Sequence, residues 1–211
     1  LPAKLASMLY VGPIDILTPT DSWQSQALLV DDARIVRIAP ADEFACPPEA
    51  ARLAVKARTL APGFLDRQIN GGFGLDFTAD PAGIWRVGAQ LGRFGVTTFL
   101  PTIVTSPIAV IDRAIEIIQA GPPVGYCGAR ALGLHLEGPF LAPKAKGAHA
   151  SAHLQLPEKH LYRDWSVRNG VRMVTLAPEL PGALDACEWL AQRGVLVALG
   201  HSAASGPESR A

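Results

Sequence analysis

Cysteine is scarce in this chain. Cys46, Cys127 and Cys187 are odd in number, widely spaced and never part of a CxxC pair. That pattern argues against a disulfide framework or a cysteine zinc site, and it fits a reducing compartment, the cytoplasm. An excess of charge is missing too. Nineteen basic residues balance nineteen acidic ones, for a formal net charge of +0. With no basic run or basic amphipathic face, nucleic acid is not an expected partner. No apolar run reaches the length of a membrane span. The most apolar stretch, residues 99–118, is broken by Pro101, Pro107, Asp112 and Arg113. The N-terminal LPAKLASMLYVGP carries one lysine and a broken apolar run, so it does not read as a signal peptide. The first residue is not Met, and the true start is expected upstream. Phosphate-cradling glycine motifs are absent as well. Gly71, Gly72 and Gly74 precede no GxGxxG or Walker-type helix and suit a tight turn instead. This disfavours a dehydrogenase or a kinase. There is no nucleophile elbow.

What is present describes a folded protein. Of 211 residues, 49% are hydrophobic and 18% charged, ordinary values for a globular chain. Residues 1–59 read as a small β-rich, sandwich-like domain. ALLVDDARIVRI sets two apolar runs around Asp31-Asp32-Ala33, the pattern of a hairpin. Residues 60–211 change character. Apolar strands beginning near residues 61, 96, 131, 172 and 195 alternate with four helical stretches. Asp80-Pro81 and Ser106-Pro107 open the first two helices, and Gly95 and Gly121 stop them. A third helix is predicted within 157–169 and a fourth over 183–193. Alternating strands and helices imply parallel βαβ units.

The suspicious polar residues follow strand ends. Asp66 to Asn70 follow the first strand, Glu137 the third, Glu179 the fourth and His201 the fifth. An α/β barrel collects its catalytic groups at that end, because its βα loops converge on one mouth. On the third strand, period-two alternation puts Gly133, His135 and Glu137 on one face and Leu132, Leu134 and Leu136 on the other. A carboxylate on an interior face is costly unless paired, hydrogen-bonded or bound to metal. The bland alternative is a satisfied core histidine and a loop-capping glutamate, and the alternation alone favours neither. Glu137 and His201 could share a divalent ion of the zinc type, although a catalytic zinc normally has three protein ligands. In KAKGAHASAH, the default for Lys144, Lys146 and His153 is a solvated loop. The functional alternative is a lid over an anionic or hydroxyl-rich substrate.

At these residues the sequence resembles the N-acetylglucosamine-6-phosphate deacetylases of the amidohydrolase superfamily. The matching segments are LAPGFLDRQINGGFGLDF, GVTTFLPTIVTS, LGLHLEGPFL, KGAH, VTLAPE and VLVALGHSAA, in the family's order. ALLVDDARIVRIAP resembles the small β domain that precedes the family's barrel. The resemblance implies an α/β fold: a partial (β/α)8 TIM-type barrel, about five of eight strands, after a small β-rich domain. It implies that Glu137 and His201 bind metal and that Ala148 and His149 contact the sugar. Gln68 and Asn70 stand where many superfamily members have a His-x-His pair, which points to a single-metal variant. His135 would line the site from behind.

The implied chemistry is metal-assisted amide hydrolysis. One divalent ion, zinc, lowers the pKa of water, and a carboxylate shuttles the proton to the leaving amine. The expected ligand is a phosphorylated amino sugar, with no nucleic acid or membrane partner, and homo-oligomers are common in the family. The family's third histidine, in a THLFNAM-like segment, and its catalytic aspartate do not occur in these 211 residues. The sequence is therefore expected to be part of a longer chain or a truncated product, inactive alone. Three alternatives stay open: a non-catalytic sugar-phosphate-binding remnant, a subunit completed by a second polypeptide, and a deacetylase for the galactosamine isomer.

Overall fold

A computed structural model describes residues 8–54 and 56–207. The first seven residues, part of the segment weighed as a signal peptide, and the final ESRA lie outside the described residues. The chain forms two compact units, Leu1–Pro62 and Gly63–Ala211.

The first unit is one sheet. β1 (Met8–Leu17), β2 (Ser22–Asp31) and β3 (Arg34–Pro40) run antiparallel, and β4 (Ala51–Arg52) and β5 (Thr59–Leu60) pair in parallel with β1. The predicted hairpin turns at Asp32 and Ala33, whose φ values of 44° and 63° are both left-handed. Such a two-residue turn matches the right-handed twist of its strands. Successive β1 residues face opposite sides. Tyr10 packs with Ala27, Leu29 and Phe44, and Val11 with Ile14, Ile16 and Leu28. Because β5 pairs Leu60 with Ile16, this sheet extends past residue 59.

The second unit begins with β6 (Phe64–Ile69) and a short hairpin of β7 (Gly71–Gly72) and β8 (Leu75–Asp76). Next come α1 (Ile84–Leu91), β9 (Val96–Val104), α2 (Ile108–Ala120), β10 (Arg130–Ala131) and β11 (Leu134–Glu137). Then follow α3 (Lys159–Tyr162), β12 (Val171–Leu176), α4 (Ala183–Ala191) and β13 (Leu196–Leu199). Across the sheet the order is β6, β9, then β10 with β11, then β12 and β13, and every pairing is parallel. β10 and β11 occupy the place of the single predicted third strand. The chain is interrupted at Leu132 and at Gly133, whose φ is 131°.

Local chemistry sets the helix ends. The Asp80 carboxylate accepts the Ala82 N–H, Pro81 follows it, and a 3-10 turn leads into α1. Gly95 and Gly121, at φ 78° and 76°, turn the chain out of the first two helical stretches. The third helix is only four residues long, against the 157–169 predicted. Beyond it, Ser166 Oγ accepts the Asn169 N–H and the Asn169 amide donates to Asp164 O. Side chains that bond the local backbone in this way compete with helix.

The helices cover one face of the sheet. Leu134 and Leu136 of β11, Val174 and Leu176 of β12 and Phe99 of β9 share a core with Ile84, Ile111 and Leu190. Each such side chain contributes roughly 1.5–3 kcal/mol on full burial. The alternate positions of these strands carry His135, Glu137, Thr102 and Thr175, all buried. Among the described residues, β6 and β13 each pair on one side only, and no helix is long and apolar enough to cross a membrane.

Candidate metal centre

Glu137 is the last residue of β11 and is 8% exposed. Parallel pairing sets it beside Val104 of β9 and Thr175 of β12, so groups at the ends of several strands converge on it. Gln68, near the end of β6, donates from Nε2 to Glu137 Oε1 at 2.9 Å. His201 follows β13 by two residues, and its Nε2 lies 3.1 Å from the same oxygen. His149, from the loop after β11, places Nε2 at 3.8 Å from Glu137 Oε2. The two imidazoles meet edge-on with centroids 4.5 Å apart. One ligand atom from each of Glu137, His149 and His201 lies within 4.8 Å of the others, so the three could hold a metal ion.

Outer contacts hold both rings, and for His201 they fix which nitrogen is presented. His201 Nδ1 is 3.2 Å from the Ala145 carbonyl, to which it can only donate. His149 Nδ1 is 2.9 Å from Thr105 Oγ1, and that hydroxyl already donates to the Glu137 carbonyl at 3.2 Å. The Thr105 N–H also approaches His149 Nδ1, at 3.4 Å. The neutral His201 ring therefore turns an unprotonated Nε2 toward the carboxylate, and that lone pair repels the carboxylate oxygen unless a proton or a cation lies between them. This donor set, carboxylate plus imidazole with outer partners on the other ring nitrogens, fits a divalent ion. Burial pushes the His149 pKa down, partly offset by Glu137, which favours the neutral form that ligates.

Gly138 secures the corner. Its φ is 91°, and a β-carbon there would lie 2.1 Å from Thr105 Oγ1. Lys146, which sequence reasoning leaves in solvent, donates from Nζ to the carbonyls of His149 at 2.9 Å and Gly147 at 3.1 Å. It thereby holds the loop that carries His149. Ala148 is exposed in that loop. The backbone carbonyl of Asn70 accepts the Phe77 N–H.

His135, two residues before Glu137, is not one of the three grouped ligand residues. It is fully buried, with Nδ1 3.1 Å from Thr102 Oγ1 and Nε2 2.8 Å from Thr175 Oγ1. It bridges three strands as a satisfied core histidine. Glu137, His149, His201 and Gln68 thus come together from their sequence positions. Thr105 was missed: it carries no motif, and its only signal is its place after a strand end.

No family model matches the chain. Curated relatives do. Human N-acetylglucosamine-6-phosphate deacetylase is 46% identical over 157 residues, 70% of this chain and 38% of that protein. An Escherichia coli N-acetylgalactosamine-6-phosphate deacetylase is 37% identical over 166 residues, 74% of this chain and 42% of that protein. Among solved structures, N-acetylglucosamine-6-phosphate deacetylase from Pasteurella multocida superimposes with TM-score 0.79 at 26% identity. That match covers 96% of this chain and 53% of the other. The Thermotoga maritima enzyme gives TM-score 0.76 at 26% identity, covering 95% and 51%. In sequence and fold the chain resembles a part of these deacetylases, and it spans about two fifths of the length of the curated relatives it matches.

Proposed function

We propose that these residues form the metal-holding part of an enzyme that hydrolyses the N-acetyl amide of N-acetylglucosamine 6-phosphate, giving glucosamine 6-phosphate and acetate. The parallel sheet of the second unit is then five strands of an eight-stranded (β/α) barrel, and the converging strand ends are its mouth. Glu137 and His201 hold one divalent ion, zinc by the chemistry of the donors. When bound, such an ion supplies a Lewis acid and a water of lowered pKa. Gln68 is no strong ligand; it orients the Glu137 carboxylate by donating to Oε1. A single ion therefore fits this site better than a pair. His149 presents Nε2 to the same space, where it hydrogen-bonds a sugar hydroxyl, with Ala148 beside it.

The observation that carries this reading is the convergence of Glu137, His149 and His201 at three chain positions shared with deacetylase motifs. Identity alone does not sort the two sugars, since the galactosamine enzyme at 37% falls between glucosamine enzymes at 46% and 34%. The proposed setting is the cytoplasm, and self-association is proposed for the whole protein. The test is acetate release from N-acetylglucosamine 6-phosphate by a polypeptide containing these residues, compared with its Glu137→Gln variant. Metal-dependent release lost on substitution supports the reading. Release unaffected by the substitution overturns it.

A further inference from the structure

His201 has φ 51°, in the left-handed region that costs a non-glycine residue about 1–2 kcal/mol. A ligand held in such a backbone needs its surroundings to fix it. One tie is the Ala142 N–H, which donates to the His201 carbonyl at 3.0 Å. The other ties come from Glu179. Ser202 Oγ donates to Glu179 Oε2 at 2.7 Å, and the Ala203 N–H donates to Glu179 Oε1 at 2.6 Å. Ser202 Oγ in turn accepts the Ala204 N–H at 2.9 Å. Both carboxylate oxygens thus grip the two residues that follow the histidine. Bonds to a charged acceptor are short and about twice as strong as neutral ones.

The placement follows from the sheet. β12 and β13 pair through Leu176 and Leu199, and the Gly200 N–H continues the ladder to the Leu176 carbonyl at 3.1 Å. Ala177 and Pro178 then carry Glu179 out of β12 beside the turn that leaves β13. We infer that Glu179 is a positioning residue for His201, acting through Ser202 and the Ala203 amide to hold the imidazole where it can ligate. The inference rests on the metal reading proposed above. Outer partners of metal ligands typically contribute ~10–100-fold in metal affinity, and a loss of that size is expected here.

The test is cobalt(II) titration of the full chain, read by visible absorption, for wild type, Glu179→Gln, Ser202→Ala and Ser202→Thr. Circular dichroism confirms that each variant is folded. Glu179→Gln should bind ~10–100-fold more weakly, with a changed spectrum as His201 loosens. Ser202→Ala should lose affinity and Ser202→Thr should recover it, because only the hydroxyl is used. Unchanged affinity and spectrum in folded Glu179→Gln would overturn the inference. Failure of the wild type to bind cobalt would overturn the metal reading instead. The clamp is then read from the ring signals of His201 in 1H–15N spectra: a shift in Glu179→Gln supports it, and identical signals reject it.

Discussion

Glu137 Oε1 and His201 Nε2 stand 3.1 Å apart although 64 residues separate them in sequence. With His201 Nδ1–H donating to the Ala145 carbonyl, this contact is favourable only with a proton or a bound cation between its two atoms.

Added zinc should therefore stabilise the chain. An ion bound only by the folded state adds about 2.7 kcal/mol at one hundred times its Kd. A thermal melt with and without zinc, followed by chelator, is expected to show a rise in Tm that the chelator reverses. Identical melts would mean that no such site exists.

His149 separates two roles. Its Nε2 is 3.8 Å from Glu137 Oε2, within the ligand cluster, but the family resemblance makes it a sugar contact. His149→Gln should leave zinc affinity within about threefold and weaken binding of the sugar phosphate by tenfold or more, the effect of one lost hydrogen bond to a polar ligand. Calorimetric titration with each ligand checks this. A collapse of zinc affinity would make His149 a ligand.

His135 makes stability depend on pH. Burial pushes its pKa down, with Glu137 a smaller opposing influence. The folded state therefore resists protonation while the unfolded chain takes up a proton near pH 6.5, so unfolding gains protons as pH falls. Stability should be highest above about pH 6.5 and decline below it, down to the lowered folded pKa. Urea unfolding between pH 5 and 8 should show this slope, and His135→Asn should flatten it. An equal slope in the variant would assign the effect elsewhere.

Gly138→Ala should be among the most damaging small substitutions. At φ 91° its β-carbon would lie 2.1 Å from Thr105 Oγ1. Backbone strain alone costs roughly 1–3 kcal/mol, and displacing Thr105 also frees the His149 ring. The expected result is a lower denaturation midpoint together with weaker binding of the sugar phosphate. A neutral effect on both would show that the corner relaxes.

Much of this was legible in the sequence because punctuation and alternation are local. Asp80-Pro81 and Gly95 mark a helix whose cap and left-handed stop are both present. LHLE alternates a leucine face toward α2 with His135 and Glu137 on the other. The third helix was over-read, because Ser166 and Asn169 divert hydrogen bonds into turns that apolar spacing does not reveal. His135 could not be assigned from alternation, since its satisfaction depends on Thr102 and Thr175, 33 and 40 residues away. Thr105 and Lys146 escaped for the same reason: their roles are bonds to the loop bearing His149, set by three-dimensional approach alone.

Binding of one metal ion by Glu137 and His201 is most directly measured by zinc calorimetry on the chain and its Glu137→Gln and His201→Ala variants. The expected result is one ion per wild-type chain, with each substitution weakening binding by more than the ~10–100-fold of an outer-shell loss. Zinc binding that survives both substitutions unchanged, or no binding by the wild type, would contradict it.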